Sequence, residues 1–216
     1  MAARLVVFDL DGTLVDSSRD IAASANAAVQ RVAPGTAEIP LAAILSFVGE
    51  GARLLVERSL RHAGLSLPAE EVLPVYIECY AGRLLDTTRL YPGVEESLGA
   101  LAGPTLAVLT NKPGDFSRRI LEGLGVARRF ARILGAGDVP SRKPDPAGLL
   151  RLMAEAGADP GETWMVGDSA TDVAVARAAR VRVAGVTWGF HPVALRAAGP
   201  DRLIDRPHDL ASLLAA

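Results

Sequence analysis

The sequence predicts an α/β protein, an open parallel sheet with helices between its strands and one all-helical insertion. Short apolar, β-rich runs alternate with helical periods over most of the 216 residues. Several of those runs stop at polar residues: Asp9 after the first, Thr110-Asn111-Lys112 after the second, Gly167-Asp168-Ser169 after a later one. Between about residues 39 and 90 only helical periods occur.

Taken in order, Arg4-Leu5-Val6-Val7-Phe8 reads as a buried strand that delivers Asp9 at its carboxyl end. Asp16-Ser17-Ser18 offers helix caps, and Ile21, Ala25, Ala28 and Val29 recur at helical spacing until Pro34-Gly35 ends the pattern. Leu54, Leu55, Arg58 and Leu60, then Val72, Tyr76, Tyr80 and Leu84, continue helical spacing, with Gly64 and Pro68 as breaks. After Tyr91-Pro92-Gly93 the alternation resumes: a helix to 101, a strand over 105–109, a helix over 116–124 and a short strand near Ile133. A helix over 147–156, a strand over 164–166, a helix over 171–179, a strand over 181–186, a short strand at 203–204 and a terminal helix complete the chain. The expected division is a Rossmann-like core from 1–15 and 91–216, with a helical cap domain from 16–90 inserted in it.

Charge and composition narrow the partner. Lys and Arg number 23 against 25 Asp and Glu, for a net charge of −2 without a basic cluster, which argues against a nucleic-acid ligand. Every apolar run is broken well before the roughly 20 residues of a membrane span, so no membrane partner is expected. The start of the chain shows no secretory leader, and a cytoplasmic protein is the expectation. The single cysteine, Cys79, excludes an internal disulfide and has no neighbouring His or Asp to suggest a zinc or thiol site. A small-molecule partner is expected, with the protein a monomer or homodimer.

Asp9 and Asp11 leave a strand through a sharp turn, so both carboxylates can aim at one point. Two such groups near 4 Å repel by about 4 kcal/mol at an effective dielectric constant of 20, which calls for a cation or a shared proton. Asp168 and Asp172, four apart on one helix face, would complete an oxygen-only shell suited to Mg²⁺ rather than to the His and Cys preferences of zinc. A phosphate beside those carboxylates needs fixed donors, for which Thr110, Asn111 and Lys143 are candidates, with Gly12 also placed at the substrate. In that setting Asp9 attacks phosphorus, Asp11 carries the proton, and an acyl phosphate divides the hydrolysis into two steps. Taken alone, an acidic pair after a strand is more often a solvated turn, and a lysine before proline is more often a surface residue.

These segments together identify a resemblance to the haloacid dehalogenase superfamily and, within it, to the phosphoglycolate phosphatase branch. Asp9-Leu10-Asp11-Gly12-Thr13, Leu109-Thr110-Asn111, Lys143-Pro144-Asp145 and Gly167-Asp168-Ser169-Ala170-Thr171-Asp172 occur in that superfamily's order over nearly the full length. The resemblance implies Asp9 as nucleophile, Asp11 as acid/base and metal ligand through its backbone carbonyl, Thr110 and Lys143 on phosphate, and Asp168 on Mg²⁺. It implies a supporting role for Asp172, a helical cap that selects the leaving group, and a small phosphorylated metabolite as substrate. Val48-Gly49-Glu50-Gly51-Ala52-Arg53 resembles the branch's cap loop, and Arg53 is a candidate partner for the carboxylate of a phospho-acid. At Ala179-Arg180 the sequence departs from relatives that place glycine at the helix end. A sugar-phosphate mutase and a non-catalytic phosphate-binding protein are the alternatives, the second opposed by the intact Asp9 and Asp11.

Overall fold

A computed structural model describes residues 3–215. Six strands form one parallel sheet in the order β5-β4-β1-β6-β7-β8. They are β1 (Leu5–Phe8), β4 (Thr105–Pro113), β5 (Arg132–Ala136), β6 (Thr163–Gly167), β7 (Arg182–Val186) and β8 (Arg202–Ile204). β1 lies at the centre, flanked by β4 and β6, so the turn that follows it is brought close to the ends of both neighbours. All four residues of β1 are buried, as expected of a strand covered on two faces.

The period-two alternation of the strands divides the core between those faces. Val6 and Phe8 of β1, Leu106 and Val108 of β4, and Trp164 and Val166 of β6 enter one cluster. Leu5 and Val7, with Ala107, Leu109 and Met165, enter the other, which α7 (Ala147–Ala156) and α8 (Ala170–Ala179) cover. The first cluster continues into α5 (Val94–Ala100), α6 (Gly114–Gly123) and the helices of the insertion. A short α9 (Pro192–Ala198) precedes β8, and a 3-10 segment, Pro207–Ala215, takes the place of the expected terminal α-helix.

The insertion consists of α1 (Ser18–Val32), α2 (Leu41–Leu45), α3 (Ala52–His62) and α4 (Ala69–Ala81), with α1 and α3 both packed on α4. Two residues at each of its ends form a small antiparallel pair, β2 (Val15–Asp16) with β3 (Arg89–Leu90). Asp20 fastens this neck. Its buried carboxylate accepts from the backbone N–H and hydroxyl groups of Thr87 and Thr88, at 2.6–3.0 Å. Burial alone would raise the Asp20 pKa, but the donors from Thr87 and Thr88 outweigh it and hold the carboxyl below its ordinary value.

Arg180 caps α8 in the left-handed region at φ +60°, the departure from a helix-end glycine noted in the sequence. A non-glycine residue there costs about 1 kcal/mol, and α8 nonetheless ends at Ala179. Among the described residues, no helix is long and apolar enough to cross a membrane.

Asp20→Asn turns an amide toward donors and should cost about 2–3 kcal/mol of stability at pH 7. Because the folded pKa lies below the ordinary 3.8, the contribution is present above that value and is lost as pH falls through the folded pKa. Urea melts at pH 7 and pH 3 should therefore show the gap between wild type and variant narrowing in acid.

Candidate active site

The carboxyl ends of β1, β4 and β6 meet a cleft of about 600 Å³, its mouth included, whose opposite wall comes from α1, α3 and α4. Asp9, Asp11, Thr110, Asn111 and Asp168 line it from the sheet side. Lys143, only 2% exposed, lies behind Asp9, with Nζ 2.9 Å from Asp9 Oδ1 and 2.7 Å from Asp172 Oδ1. Asp9 Oδ1 also accepts from the backbone N–H of Leu10 at 2.8 Å. No partner occupies Asp9 Oδ2 among the described residues.

The electrostatics follow from that crowding. Burial pushes the Asp9 pKa up, to about 6, against the pull of Lys143, and the charges of Asp172 and Asp11 push the same way. Burial also raises Asp168, reinforced by Asp172 and Asp9. For Lys143, burial alone would favour the neutral amine, yet Asp172 and Asp9 outweigh it and hold the ammonium above its usual range. Carboxylate oxygens of Asp9, Asp168 and Asp172 lie within 4.8 Å of one another. An all-oxygen, buried, acidic set of this kind fits a hard divalent cation.

Within that set the three carboxylates are not equivalent. Both oxygens of Asp172 are already committed, Oδ1 to Lys143 and Oδ2 to the N–H and hydroxyl of Ser169 at 3.1 and 2.6 Å. Its role here is to orient Lys143 and cap α8, while Asp168 gives only Oδ2, to the Phe190 N–H at 2.7 Å. Two glycines make room. A Cβ on Gly167 would collide with the Asp172 carboxylate, and one on Gly12, at φ +79°, would collide with that of Asp168.

Several residues expected from sequence serve differently. Asn111 lines the cleft, but its amide is spent: Nδ2 donates to the carbonyls of Gly49 and Lys143, both at 2.9 Å, and Oδ1 accepts from Lys143 N–H at 2.8 Å. It clamps Lys143 and holds the 48–51 loop instead of facing an anion. The Gly12 N–H donates to the Val15 carbonyl at 2.9 Å, leaving Gly12 to supply space. Arg53 does not line the cleft; its guanidinium lies 3.3 Å from both Glu57 and Glu70, partly exposed. Asp11 Oδ1 accepts from Ser17 Oγ at 2.5 Å and from Lys112 Nζ at 2.9 Å, and Asp11 is not one of the three carboxylates that cluster. Thr110 Oγ1 accepts from Lys112 N–H at 3.2 Å, which leaves the hydroxyl proton available.

Sequence reasoning gave no role to Lys112, Tyr80 or His191. Lys112 Nζ reaches the Tyr80 hydroxyl at 2.5 Å, and the His191 ring lies 3.1 Å from the Val48 carbonyl. The signal for Lys112 was present, since it follows Thr110 by two residues on an extended chain and so shares its face. Trp188 donates from Nε1 to the Thr13 carbonyl at 3.1 Å.

A family model for haloacid dehalogenase-like hydrolases matches residues 6–186, nearly all of the sheet and the whole insertion. The chain belongs to that family. The hydrolase is 39% identical to a phosphoglycolate phosphatase of Pseudomonas putida, over 98% of its own length and 78% of the relative's. It is likewise 39% identical to a phosphoglycolate phosphatase of Agrobacterium fabrum, over 98% and 91% of the two chains. The hydrolase superposes on a crystal structure of a predicted phosphoglycolate phosphatase from Haemophilus somnus with a TM-score of 0.91 and 32% identity, covering 98% and 97% of the chains.

Asn111→Ala strands the buried N–H and C=O of Lys143 and removes one of the two contacts that tie the 48–51 loop to the core. The variant should lose about 3 kcal/mol, a melting temperature roughly 6–12 °C lower by calorimetry, and its amide exchange at 48–51 should quicken.

Proposed function

We propose that this phosphoric monoester hydrolase acts on small phosphorylated metabolites through a phosphoryl group carried transiently on Asp9, with phosphoglycolate the first candidate substrate. The observation that carries the reading is the arrangement at Asp9. One oxygen is fixed by Lys143 and the Leu10 N–H, the other has no partner among the described residues, and Asp11, Thr110 and Asp168 line the same cleft. The substrate candidate rests on the phosphoglycolate phosphatases among the relatives.

In the first step Asp9 Oδ2 forms a bond to phosphorus as the ester P–O bond breaks, and Asp11 gives the departing alkoxide its proton. In the second, Asp11 takes a proton from the attacking water as the acyl phosphate is cleaved. The Lys143 ammonium offsets the charge of Asp9 beside the anionic phosphoryl oxygens, and the Thr110 hydroxyl is a donor to them. Asp9 and Asp168 side chains, with the Asp11 backbone carbonyl, would hold Mg²⁺, while Asp172 supports from behind. Bound there, the ion supplies neutralisation of the phosphoryl charge.

The insertion, 16–90, is proposed as a cap over a core of 1–15 and 91–216. The neck pairs Val15 with Leu90 and Asp16 with Arg89, at the two proposed boundaries. Contacts from Asn111 to Gly49 and from His191 to Val48 hold the cap loop against the sheet. A cap in this position excludes water from the acyl phosphate.

Release of inorganic phosphate from phosphoglycolate should require Mg²⁺, and Asp9→Asn should lower turnover by at least about 10³-fold without lowering the melting temperature. Acid quenching should trap a phosphorylated wild-type chain whose label maps to Asp9. A variant that keeps its activity, or a label on another residue, would remove Asp9 as nucleophile.

A further inference from the structure

The cleft is an acidic place for an acidic guest. Asp9, Asp11 and Asp168 line it, and its far wall is largely apolar, with Ile21, Leu55 and Ile77 among the residues there. Among its lining residues Lys112 is the one ammonium or guanidinium. His191 does not add a second charge near neutrality, because burial lowers its pKa. A substrate with an anionic group besides its phosphate must therefore meet Lys112 or remain unpaired beside carboxylates, an arrangement that low-dielectric surroundings make costly.

The donors around Lys112 are only partly used. Its side chain is 5% exposed, and an ammonium has three N–H groups. One is directed to Asp11 Oδ1 at 2.9 Å and one to the Tyr80 hydroxyl oxygen at 2.5 Å. The third has no acceptor among the described residues, and neither has the Tyr80 hydroxyl proton. Tyr80 is fixed by its stack on Tyr76, with ring centroids 5.9 Å apart, and by its edge contact with Phe116. Both unspent protons belong to residues that line the cleft.

Their position matches one substrate class. In a 2-phospho acid the carboxylate begins two bonds from the ester oxygen, so its oxygens lie within about 4 Å of the atom that Asp11 must protonate. Lys112 stands against that same Asp11. We infer that Lys112 and Tyr80, one from the sheet and one from the helical insertion, form the receptor for the carboxylate of a 2-phospho acid. The inference rests on the proposed phosphatase reading and adds to it the residues that select the leaving group. It also replaces Arg53, which is paired with Glu57 and Glu70, in the role of carboxylate partner.

The experiment compares phosphoglycolate with ethyl phosphate, which keeps the ester and lacks the carboxylate. Wild type should favour phosphoglycolate in kcat/KM by about 10²-fold or more, and Lys112→Met should reduce that preference to within a fewfold of unity. Tyr80→Phe keeps the stacked ring, should reduce the preference about tenfold, mainly through KM, and carries the test if Lys112→Met folds poorly. If Lys112 merely props Asp11, both esters fall together and the preference survives, which overturns the inference and leaves the phosphatase reading intact. A wild type that cleaves both esters equally well also overturns it. A wild type that cleaves neither removes the proposed function, and the inference with it.

Discussion

A single ammonium between two buried carboxylates governs the arrangement of this site. Lys143 touches Asp9 and Asp172 while Asp168 stands close by, so four charged groups share a volume from which water is largely excluded. Each carboxylate pair near 4 Å carries a repulsion of about 4 kcal/mol at an effective dielectric constant of 20, and one lysine cannot cancel all of it. An acidic surplus of this kind suits the set to a hard divalent cation. The sheet topology supplies the convergence: β1 and β6 deliver Asp9 and Asp168 from their carboxyl ends, and β4, on the other side of β1, brings the Asn111 that holds the Lys143 backbone.

The rest of the structure keeps Lys143 from drifting. Asn111 grips its backbone through both N–H and C=O, Asp172 grips its side chain, and Ser169 fixes Asp172 in turn. Asn111 also holds the Gly49 carbonyl, so the residue that positions the ammonium fastens the helical insertion as well. Site geometry and the seating of the insertion are thereby coupled through one side chain. On the other side of Asp9 a second lysine, Lys112, does for Asp11 what Lys143 does for Asp9, and extends the contact to Tyr80 on α4.

Much of this was legible in the sequence because the signals were periodic or chemically distinctive. The alternation of apolar runs with helical periods located all six strands of the parallel sheet, and the polar strand ends gather at the edge that lines the cleft. The β2–β3 neck escaped because two residues per strand carry no period, and α2 and α9, at five and seven residues, are nearly as short. Asn111 and Gly12 were placed near the site by motif, but which acceptor an amide satisfies depends on where the loop at 48–51 returns, a contact 62 residues away in the chain. Arg53 does not line the cleft because its guanidinium is held by Glu57, one turn along the same helix, and by Glu70, which the packing of α4 on α3 brings within reach. Lys112 was visible as part of a motif, yet its partner Tyr80 comes from a helix 32 residues earlier.

The most direct test is the thermal stability of Lys143→Met with and without millimolar Mg²⁺ at neutral pH. If the ammonium balances the acidic cluster, the variant melts well below wild type without the cation, by a loss of about 3–5 kcal/mol, and recovers more of its stability than wild type gains when Mg²⁺ is added. A variant that melts with wild type and ignores Mg²⁺ would show that the carboxylates tolerate one another unaided, and the central electrostatic claim would fall.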